Sequence, residues 1–322
     1  MNVKHLMTFF KEVSAVTGQR ESYMIFKTFY GHVPSALRPR KVVLALHGSP
    51  GSHNDFKYLV EPVKALGLEL VAPDFPGHGF TPDLIFFDHA VPSRTGFLAG
   101  FLEEMSLRSV DVLMCHSASA FTALDLLTTY PVSCKSLILC NPMGLRPHRA
   151  VRPFAFITAS TKLYDNLLLR WLVKRVARFG ITKVLGLRIE GDQPEANVSG
   201  VILKSVGMWD FPLIRTQHES LKTKPDFPVF LVYGGKDPLV ELKIYEELAT
   251  ALGVVPERHF QIENDHQESE ILEKIREYHS KLGSSKFAIC FQNHKHHLQK
   301  TKAQFLADLC QVAQSMTSKS HS

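Results

Sequence analysis

A serine lies near the middle of the chain in the sequence Cys115-His116-Ser117-Ala118-Ser119, directly after an apolar run. This arrangement predicts a buried strand that turns sharply into a helix, with Ser117 at the apex. A serine on such a strained turn has its hydroxyl raised above the sheet, where a base can take its proton and a carbonyl carbon can approach. The residues two before and two after it are usually glycine, and here they are Cys115 and Ser119. Activity depends on whether the turn accepts them.

Two glycine-containing turns come before the serine. The sequence His-Gly-Ser-Pro-Gly at 47–51 follows one apolar run, and Asp-Phe-Pro-Gly-His-Gly at 74–79 follows the next. A glycine-rich bend at the carboxyl end of a strand can direct a backbone N–H into the crevice above a sheet. Each turn alone indicates only a change of chain direction. Because both turns precede the serine in this order, together they indicate a functional role.

Short apolar runs alternate with helical patterns along most of the chain. The predicted buried strands are 42–46, 68–72, 110–114, 137–140 and 229–233, and the predicted helices are 54–66, 92–105, 118–129 and 242–252. Strands that alternate with helices imply right-handed crossovers and a mostly parallel sheet that is covered on both faces. The more alternating stretch 23–30 predicts an antiparallel edge strand.

The alternation stops after Pro142 and resumes at Pro228, and the interval is helical and basic. Ten Lys and Arg residues lie between Arg146 and Arg188, with one acidic residue, Asp165. We interpret the interval as a cap inserted above the sheet. The predicted division is 1–145 for the first part of the core, 146–226 for the cap, 227–316 for the rest of the core and 317–322 for a disordered tail.

The amphipathic stretch 161–179 of the cap has two interpretations. In the first, its cations form a solvated face while its apolar residues pack on the sheet domain. In the second, it is a lid whose cations meet an anionic substrate group or an anionic lipid surface, while its apolar side covers an acyl pocket. No motif or basic–aromatic platform supports nucleic-acid binding, and no obligate protein partner is indicated.

Together these motifs resemble the α/β-hydrolase fold superfamily, over about residues 41–312, and 47–56 resembles an uncharacterised subgroup that brings no activity with it. The resemblance implies an α/β-hydrolase fold and a triad in the chain order Ser, Asp or Glu, His, with Ser117 as the nucleophile. It also implies an oxyanion hole formed by the backbone N–H groups of Ser49 and Ala118. A serine at the apex argues against the branches that cleave epoxides or halides, because those use Asp as the nucleophile. No cofactor and no metal are implied.

The acid of the implied triad is Asp237, which follows the strand 229–233 and a Gly-Gly turn. In the superfamily this position orients the histidine and stabilises its cation. The alternative is that Asp237 only caps the helix that follows.

Two histidines compete for the role of the base. His296 follows the apolar stretch 287–291 and precedes the helical pattern 303–314, which resembles the end of the superfamily fold if a helix and a strand are inserted before it. His266 lies at the usual interval after Asp237, but its surroundings lack the usual Gly-His-aromatic pattern. His294 and His297 lie close enough to complicate the assignment, and a histidine-rich loop can also bind a metal. We prefer His296 as the base and keep His266 as the alternative base. A third possibility is that the base is neither of these two histidines.

The composition indicates the cellular compartment of the protein and not its reaction. The five cysteines are odd in number and show no Cys-x-x-Cys spacing, which favours reduced thiols in an intracellular compartment. The segment 1–16 has no continuous apolar core, which argues against a secretory signal, and it could form an amphipathic helix with Phe9 and Phe10 facing inward. A cytoplasmic location is expected, with a mitochondrial one left open. No apolar run is long enough to span a bilayer.

The sequence therefore predicts a serine hydrolase that acts on an ester, thioester or amide of a small molecule with an apolar acyl or lipid-like part. The rival prediction is a ligand-binding protein that keeps the pocket but has lost turnover, because Cys115 and Ser119 depart from the pattern. Acyl transfer to an acceptor other than water would use the same residues.

Overall fold

The computed structural model describes residues 1–13, 21–37, 39–84, 86–130, 132–189 and 195–318. The strands are β1 Asn2–Val13, β2 Glu21–Val33, β3 Val42–Leu46, β4 Glu69–Pro73, β5 Ser109–Val110, β6 Val112–His116, β7 Ser133–Cys134, β8 Leu137–Cys140, β9 Val229–Gly234, β10 His259–Ile262 and β11 Lys286–Phe291. The helices are α1 Val60–Ala65, α2 Val91–Glu104, α3 Ser119–Thr129, α4 Phe154–Asp165, α5 Arg170–Phe179, α6 Glu195–Gly207, α7 Phe211–Lys222, α8 Leu242–Ala251, α9 Gln267–Leu282, α10 Leu298–Thr301 and α11 Ala303–Ser318.

Nine of the strands form one sheet in the order β1-β2-β4-β3-β6-β8-β9-β11-β10. The strands from β4 to β10 across this sheet pair in parallel, whereas β2 pairs antiparallel with both β1 and β4. The predicted mostly parallel sheet is confirmed. Because the carboxyl ends of parallel strands meet at one edge of the sheet, the loops after β3, β6, β9 and β11 come together there.

The sheet has an apolar core on each face, and alternate residues of one strand enter different cores. Leu44 and Leu46 of β3 pack with α2, α3, α7 and α8, while Val43 and Ala45 pack with α1, α9 and α11. Such strands, apolar on both faces, read as continuous apolar runs. This explains why they were recognisable in the sequence.

Among the described strands, the one that comes last in sequence is not at the edge of the sheet. β11 lies between β9 and β10 and pairs in parallel with both. The unit formed by β10 and α9 therefore occupies the outside of the sheet, and the segment after β11 emerges next to β9. This is the inserted helix and strand that the preference for His296 required.

The first segment of the chain forms a strand and not the amphipathic helix that the sequence suggested. β1 pairs with β2 along its whole length, from Asn2 opposite His32 to Val13 opposite Glu21, and residues 14–16 lie outside the described part. Segments rich in aromatic and branched residues fit a pleated surface better than a helix. As a result β2 is an inner strand of the sheet. The prediction for 23–30 is therefore wrong in placing this strand at the sheet edge, and its antiparallel pairing is confirmed.

Helices fill the interval between β8 and β9, and the predicted long helix over 161–179 is broken. α4 ends at Asp165 and α5 begins at Arg170, because the Asn166 side chain accepts a hydrogen bond from the Leu168 N–H (3.0 Å) and so competes with the helix. The apolar residues of this stretch were expected to pack on the sheet domain or to cover a pocket. That expectation is wrong for Leu167 and Trp171, which are exposed.

Two boundaries of the predicted domain division, at residues 226 and 317, can be compared with the ends of helices. α7 packs against α3 and α8, so it belongs to the helical layer beside the sheet although it precedes residue 226. The last helix continues to Ser318, two residues into the predicted tail, and 319–322 lie outside the described part. Among the described helices, none combines the length and the apolar character that a membrane span needs.

Candidate active site

The turn after β6 holds Ser117 in a strained conformation. Its φ is +58°, a left-handed value that residues with a side chain rarely adopt. The Ser117 N–H donates to the Cys140 carbonyl of β8 (3.1 Å), and its own carbonyl accepts from the Ala120 N–H (3.2 Å) and the Met143 N–H (3.3 Å). Bonds on both sides therefore fix the turn, which lifts the hydroxyl above the end of the sheet.

The two residues that replace glycine are fully buried and have specific partners. The Cys115 thiol points at the Ile138 carbonyl of β8, with Sγ 3.7 Å from the oxygen, and burial raises its pKa well above the usual value. The Ser119 hydroxyl accepts from the His116 N–H (3.1 Å) and lies 2.8 Å from the carbonyl oxygens of both Leu46 and His116. The turn thus accommodates both side chains, and a protonated, buried thiol is not a competing nucleophile.

His296 joins Ser117 to Asp237. Its Nε2 lies 2.9 Å from the Ser117 Oγ, and its Nδ1 lies 2.7 Å from Oδ2 of Asp237. Because the Asp237 carboxylate can only accept, the proton of the neutral imidazole is on Nδ1, and Nε2 is free to accept from the serine hydroxyl. The three side chains are almost completely buried. This is the geometry of a nucleophile, a base and an orienting acid.

Five donors surround the Asp237 carboxylate. Besides His296, Oδ2 accepts from the Tyr245 hydroxyl (2.5 Å) and the Asn141 amide (3.0 Å), while Oδ1 accepts from the backbone N–H groups of Leu239 and Val240. Burial alone would raise the pKa of this carboxyl group. The hydrogen bonds and charge of His296, with those from Tyr245 and the backbone, outweigh burial and lower the pKa below its usual range. Asp237 is therefore held as a carboxylate that can stabilise a cationic imidazole.

The loop that carries His296 lies against the turn after β9. A Cβ on Gly234 would lie 2.5 Å from the carbonyl oxygens of His294 and Lys295, which is too close for any side chain. The Gly235 N–H donates to the Phe291 carbonyl, and the Lys236 N–H donates to that of His294 (both 2.9 Å). The Gly-Gly turn before Asp237 therefore lets the base loop approach the acid closely.

The structure places His266 away from this arrangement. It is exposed, it precedes α9, and it follows β10, which is one strand farther out than β11. His294 is partly exposed, with its Nδ1 3.3 Å from the Thr301 hydroxyl, and His297 is exposed. Of the candidate bases, His296 alone is hydrogen-bonded to Ser117 within the described part of the chain.

His116 is in contact with the loop that carries His296, which the sequence did not suggest. Its Nε2 lies 3.0 Å from the His296 carbonyl oxygen, and its Nδ1 lies 3.4 Å from the Gln299 amide nitrogen. Burial, together with the charges of His296 and His297, lowers the pKa of His116 well below its usual value. The neutral ring donates from Nε2 and accepts at Nδ1, and so ties the serine turn to the loop of the base. No signal in the sequence separates this role from simple packing.

The loop after β3 touches the serine turn. A Cβ on Gly48 would lie 2.9 Å from the Ser117 Cβ and 2.9 Å from Nδ1 of His116, so only glycine fits there. This contact brings the loop of Ser49 against the turn that carries Ser117 and Ala118. In the described residues neither the Ser49 N–H nor the Ala118 N–H donates to another protein group. Backbone N–H groups that are not otherwise engaged can stabilise an oxyanion.

A buried histidine from the second glycine turn fixes Ser49. The His78 Nδ1–H donates to the Pro76 carbonyl (3.1 Å), so the Ser49 hydroxyl donates to Nε2 of the same ring (2.8 Å). Burial lowers the pKa of His78 well below its usual value, which keeps Nε2 as an acceptor. His47 connects the same two loops, since its Nε2 accepts from the Phe75 N–H (3.0 Å).

The large apolar core on one face of the sheet includes residues of both the sheet domain and the cap. It contains Ala118, which follows Ser117, together with Met143, Ile202, Val206 and Trp209. Ser117 itself is only 5% exposed. Its side chain therefore has little contact with solvent.

Comparison with known proteins agrees with this fold. The model of the family described as alpha/beta hydrolase of unknown function (DUF1057) matches residues 7–315, so the chain belongs to that family and to the α/β-hydrolase superfamily. An uncharacterized protein of Caenorhabditis elegans is 23% identical over 292 residues, which are 87% of this chain and 79% of that protein.

Several solved structures share the architecture. An esterase from Thermogutta terrifontis has a TM-score of 0.60 at 13% identity, covering 99% of this chain and 100% of that one. An esterase from Exiguobacterium antarcticum has a TM-score of 0.58 at 15% identity, covering 95% and 100%. A bromoperoxidase from Bacillus anthracis has a TM-score of 0.56 at 14% identity, covering 97% and 100%. At such identities these similarities establish the fold alone.

Proposed function

We propose that this protein is a serine hydrolase that cleaves an ester, thioester or amide with an apolar acyl or lipid-like part. The observation that supports this most directly is the continuous hydrogen-bonded connection from the Ser117 hydroxyl through His296 to Asp237. The left-handed turn at Ser117 adds support, because such strain is maintained where the surrounding structure fixes a functional side chain.

In the proposed reaction the Ser117 Oγ attacks the substrate carbonyl carbon while Nε2 of His296 takes the hydroxyl proton. The Ser49 and Ala118 N–H groups stabilise the negative oxygen of the tetrahedral intermediate. His296 then gives the proton to the leaving alcohol, thiol or amine, and the acyl group remains on Ser117. Water, deprotonated by the same histidine, attacks the acyl-enzyme, and the acid product leaves while the proton returns to Ser117.

The apolar core that the sheet domain shares with the cap supports an apolar acyl part. Ala118 follows Ser117, and Ile202, Val206 and Trp209 belong to the same core from the cap side. An acyl chain bound against this core would lose contact with water, with a gain of about 0.8 kcal/mol for each buried CH₂. We therefore expect kcat/KM for p-nitrophenyl esters to rise with acyl length before it falls at the limit of the pocket.

Labelling with a fluorophosphonate probe tests the proposal. The wild-type protein should be labelled, and Ser117→Ala should not be, whereas Ser280→Ala, at an exposed serine of α9, should be labelled at the wild-type rate. His296→Ala should be labelled far more slowly than the wild type, and His266→Ala at the wild-type rate. A folded wild-type protein that resists labelling, while a known serine hydrolase reacts, would contradict turnover.

Such a failure would favour the rival function, a ligand-binding protein without turnover. The near-complete burial of Ser117 is the observation that gives this alternative a physical basis, since a closed site excludes substrate as well as water. Acyl transfer is separated from hydrolysis by product analysis with and without an acceptor alcohol, because transfer yields a new ester in place of the acid.

A further inference from the structure

The outer face of the cap is apolar, which is the reverse of an ordinary surface helix. On α5 the side chains of Trp171, Leu172, Val176 and Phe179 are exposed. A helix at the surface of a globular protein normally turns its apolar stripe toward the core. Here the apolar residues face solvent instead.

The inner side of the same helix is charged and hydrogen-bonded. The Arg170 Nε donates to the Tyr164 carbonyl (3.1 Å), and its guanidinium lies over the Tyr164 ring at 5.0 Å. The Lys174 ammonium donates to the Asn197 side chain of α6 (2.6 Å). These contacts fix the rotation of α5 about its axis, so the outward direction of the apolar residues is a specified feature of the cap.

The connection between α4 and α5 extends the apolar surface. Leu167 is 74% exposed and Leu168 is 82% exposed, and Leu169 is also exposed. Three consecutive exposed side chains mean that the connection protrudes from its neighbours. On α4, Phe156 and Leu163 are exposed as well, one heptad apart and so on one face of that helix. Contiguous exposed apolar surface of this kind marks an interaction site.

Cations surround this surface. Lys162, Arg175 and Lys183 are exposed, and between Arg146 and Arg188 the sequence contains only one acidic residue, Asp165. The Arg175 guanidinium lies 5.4 Å from the centre of the Trp171 ring. Leucine and phenylalanine that protrude, with tryptophan and cations at their margin, match the depth profile of a bilayer interface, in which acyl chains lie beneath anionic headgroups.

We propose that the outer face of the cap, formed by α4, α5 and their connection, binds an anionic membrane surface. Leu167 and Leu168 insert among the acyl chains, and the cations contact lipid phosphates and carboxylates. The occupant is lipid because exposed apolar side chains and cations occur together on a protruding tip and not in a groove. This inference does not depend on turnover, so Ser117→Ala should bind membranes like the wild type.

Vesicle co-sedimentation of the full chain tests the proposal. The protein should bind phosphatidylcholine vesicles that contain phosphatidylserine, bind pure phosphatidylcholine vesicles more weakly, and lose affinity as salt is raised. Leu167→Ser with Leu168→Ser should lower the affinity about tenfold or more. The matched control is Leu282→Ser, which changes a leucine that is 70% exposed at the end of α9, and it should bind normally.

Charge and fluorescence give two further measurements. Lys162→Glu with Arg175→Glu should lower the affinity about tenfold or more, whereas Lys64→Glu on α1 should have no effect. Tryptophan emission should shift to shorter wavelength on binding. The shift should disappear in Trp171→Phe, because the remaining Trp209 is already buried.

Three results would overturn the proposal: no binding to either vesicle type, binding that the paired leucine substitution leaves unchanged, or a stable dimer that this substitution converts to monomer. The last result would make the outer face an interface between copies of the chain. Thermal unfolding of each variant shows whether it is folded, and exposed substitutions of this kind should change stability by no more than about 0.5 kcal/mol.

Discussion

The Ser119 hydroxyl oxygen lies 2.8 Å from the Leu46 carbonyl oxygen, so the residue that replaces glycine two positions after Ser117 joins β3 to the serine turn. The same hydroxyl accepts from the His116 N–H, which is on the other side of the turn. What the sequence presents as a defect in a glycine motif is a hydrogen-bonded contact between the serine turn and the strand that leads to the loop of Ser49.

Restoring glycine at this position should therefore harm the protein. Ser119→Gly and Ser119→Ala should each lower the free energy of unfolding by about 1–3 kcal/mol, because they leave buried backbone groups without a partner. Urea denaturation measures the change. Ser280→Ala, at an exposed serine of α9, is the control and should stay within about 0.5 kcal/mol of the wild type. A glycine variant as stable as the wild type would contradict this role of Ser119.

Substitution of His116 should slow catalysis without removing it. His116→Ala breaks the hydrogen bond to the His296 carbonyl, so the base should move relative to Ser117, and an error of about 1 Å can lower a rate about a hundredfold. kcat should fall with little change in KM, because His116 is buried and its ring is hydrogen-bonded to the loop of His296. His297→Ala removes a neighbouring but exposed ring, and it should leave kcat almost unchanged. Equal rates for the two variants would show that His116 only fills space.

The Gly-Gly turn should be equally sensitive. Gly234→Ala places a Cβ 2.5 Å from two carbonyl oxygens of the base loop, so that loop must move and fluorophosphonate labelling should slow about a hundredfold. The matched control is Gly180→Ala in the cap, where a Cβ would have no neighbour within 4 Å and φ is −57°. If Gly234→Ala reacts at the wild-type rate, close approach of the two loops is not required for the chemistry.

Acid sensitivity of the fold should have a contribution from His218 of α7. It is fully buried in α7, its Nδ1–H donates to the Ile214 carbonyl (2.8 Å), and burial lowers its pKa from 6.5 to about 4. Between these values the unfolded chain binds a proton that the folded chain does not. Stability therefore falls as the pH is lowered through this window, by up to about 1.4 kcal/mol per pH unit.

Replacement of this histidine should flatten the dependence. In His218→Leu the free energy of unfolding should decrease less steeply between pH 6.5 and pH 4 than in the wild type, as measured by urea denaturation at several pH values. His5→Leu, at an exposed position on β1, should keep the wild-type slope. An unchanged slope in His218→Leu would mean that His218 is protonated in the folded protein or makes no net contribution.

The sequence contained enough to place the serine turn, the strand before Asp237 and the central strands. Those strands are apolar on both faces and end in turns that admit few residue types. The local sequence pattern therefore already indicates their position in the middle of the fold. The choice between His266 and His296 could not be made locally. It depends on β11 pairing between β9 and β10, and pairing order is a property of the whole sheet.

Two other features escaped prediction for a similar reason. β1 depends on β2 for its hydrogen bonds, and helical spacing within one segment carries no information about such a partner. The spacing of Leu168, Leu172 and Val176 predicts an amphipathic helix but not which side faces outward. That is decided by the contacts of Arg170 and Lys174 with α4 and α6, which lie elsewhere in the chain.

The interior position of β11 has a consequence for how the protein is made. β11 follows the other eight strands of this sheet in the chain and so leaves the ribosome after them, yet it separates β9 from β10 in the finished sheet. Until then β9 and β10 both lack β11 as a neighbour, and the loop of His296 does not yet exist. The sheet and the contact between Ser117 and His296 are therefore completed together, late in biosynthesis. A chain cut short after α9 should lack both, so premature termination should yield a protein in which Ser117 has no histidine partner.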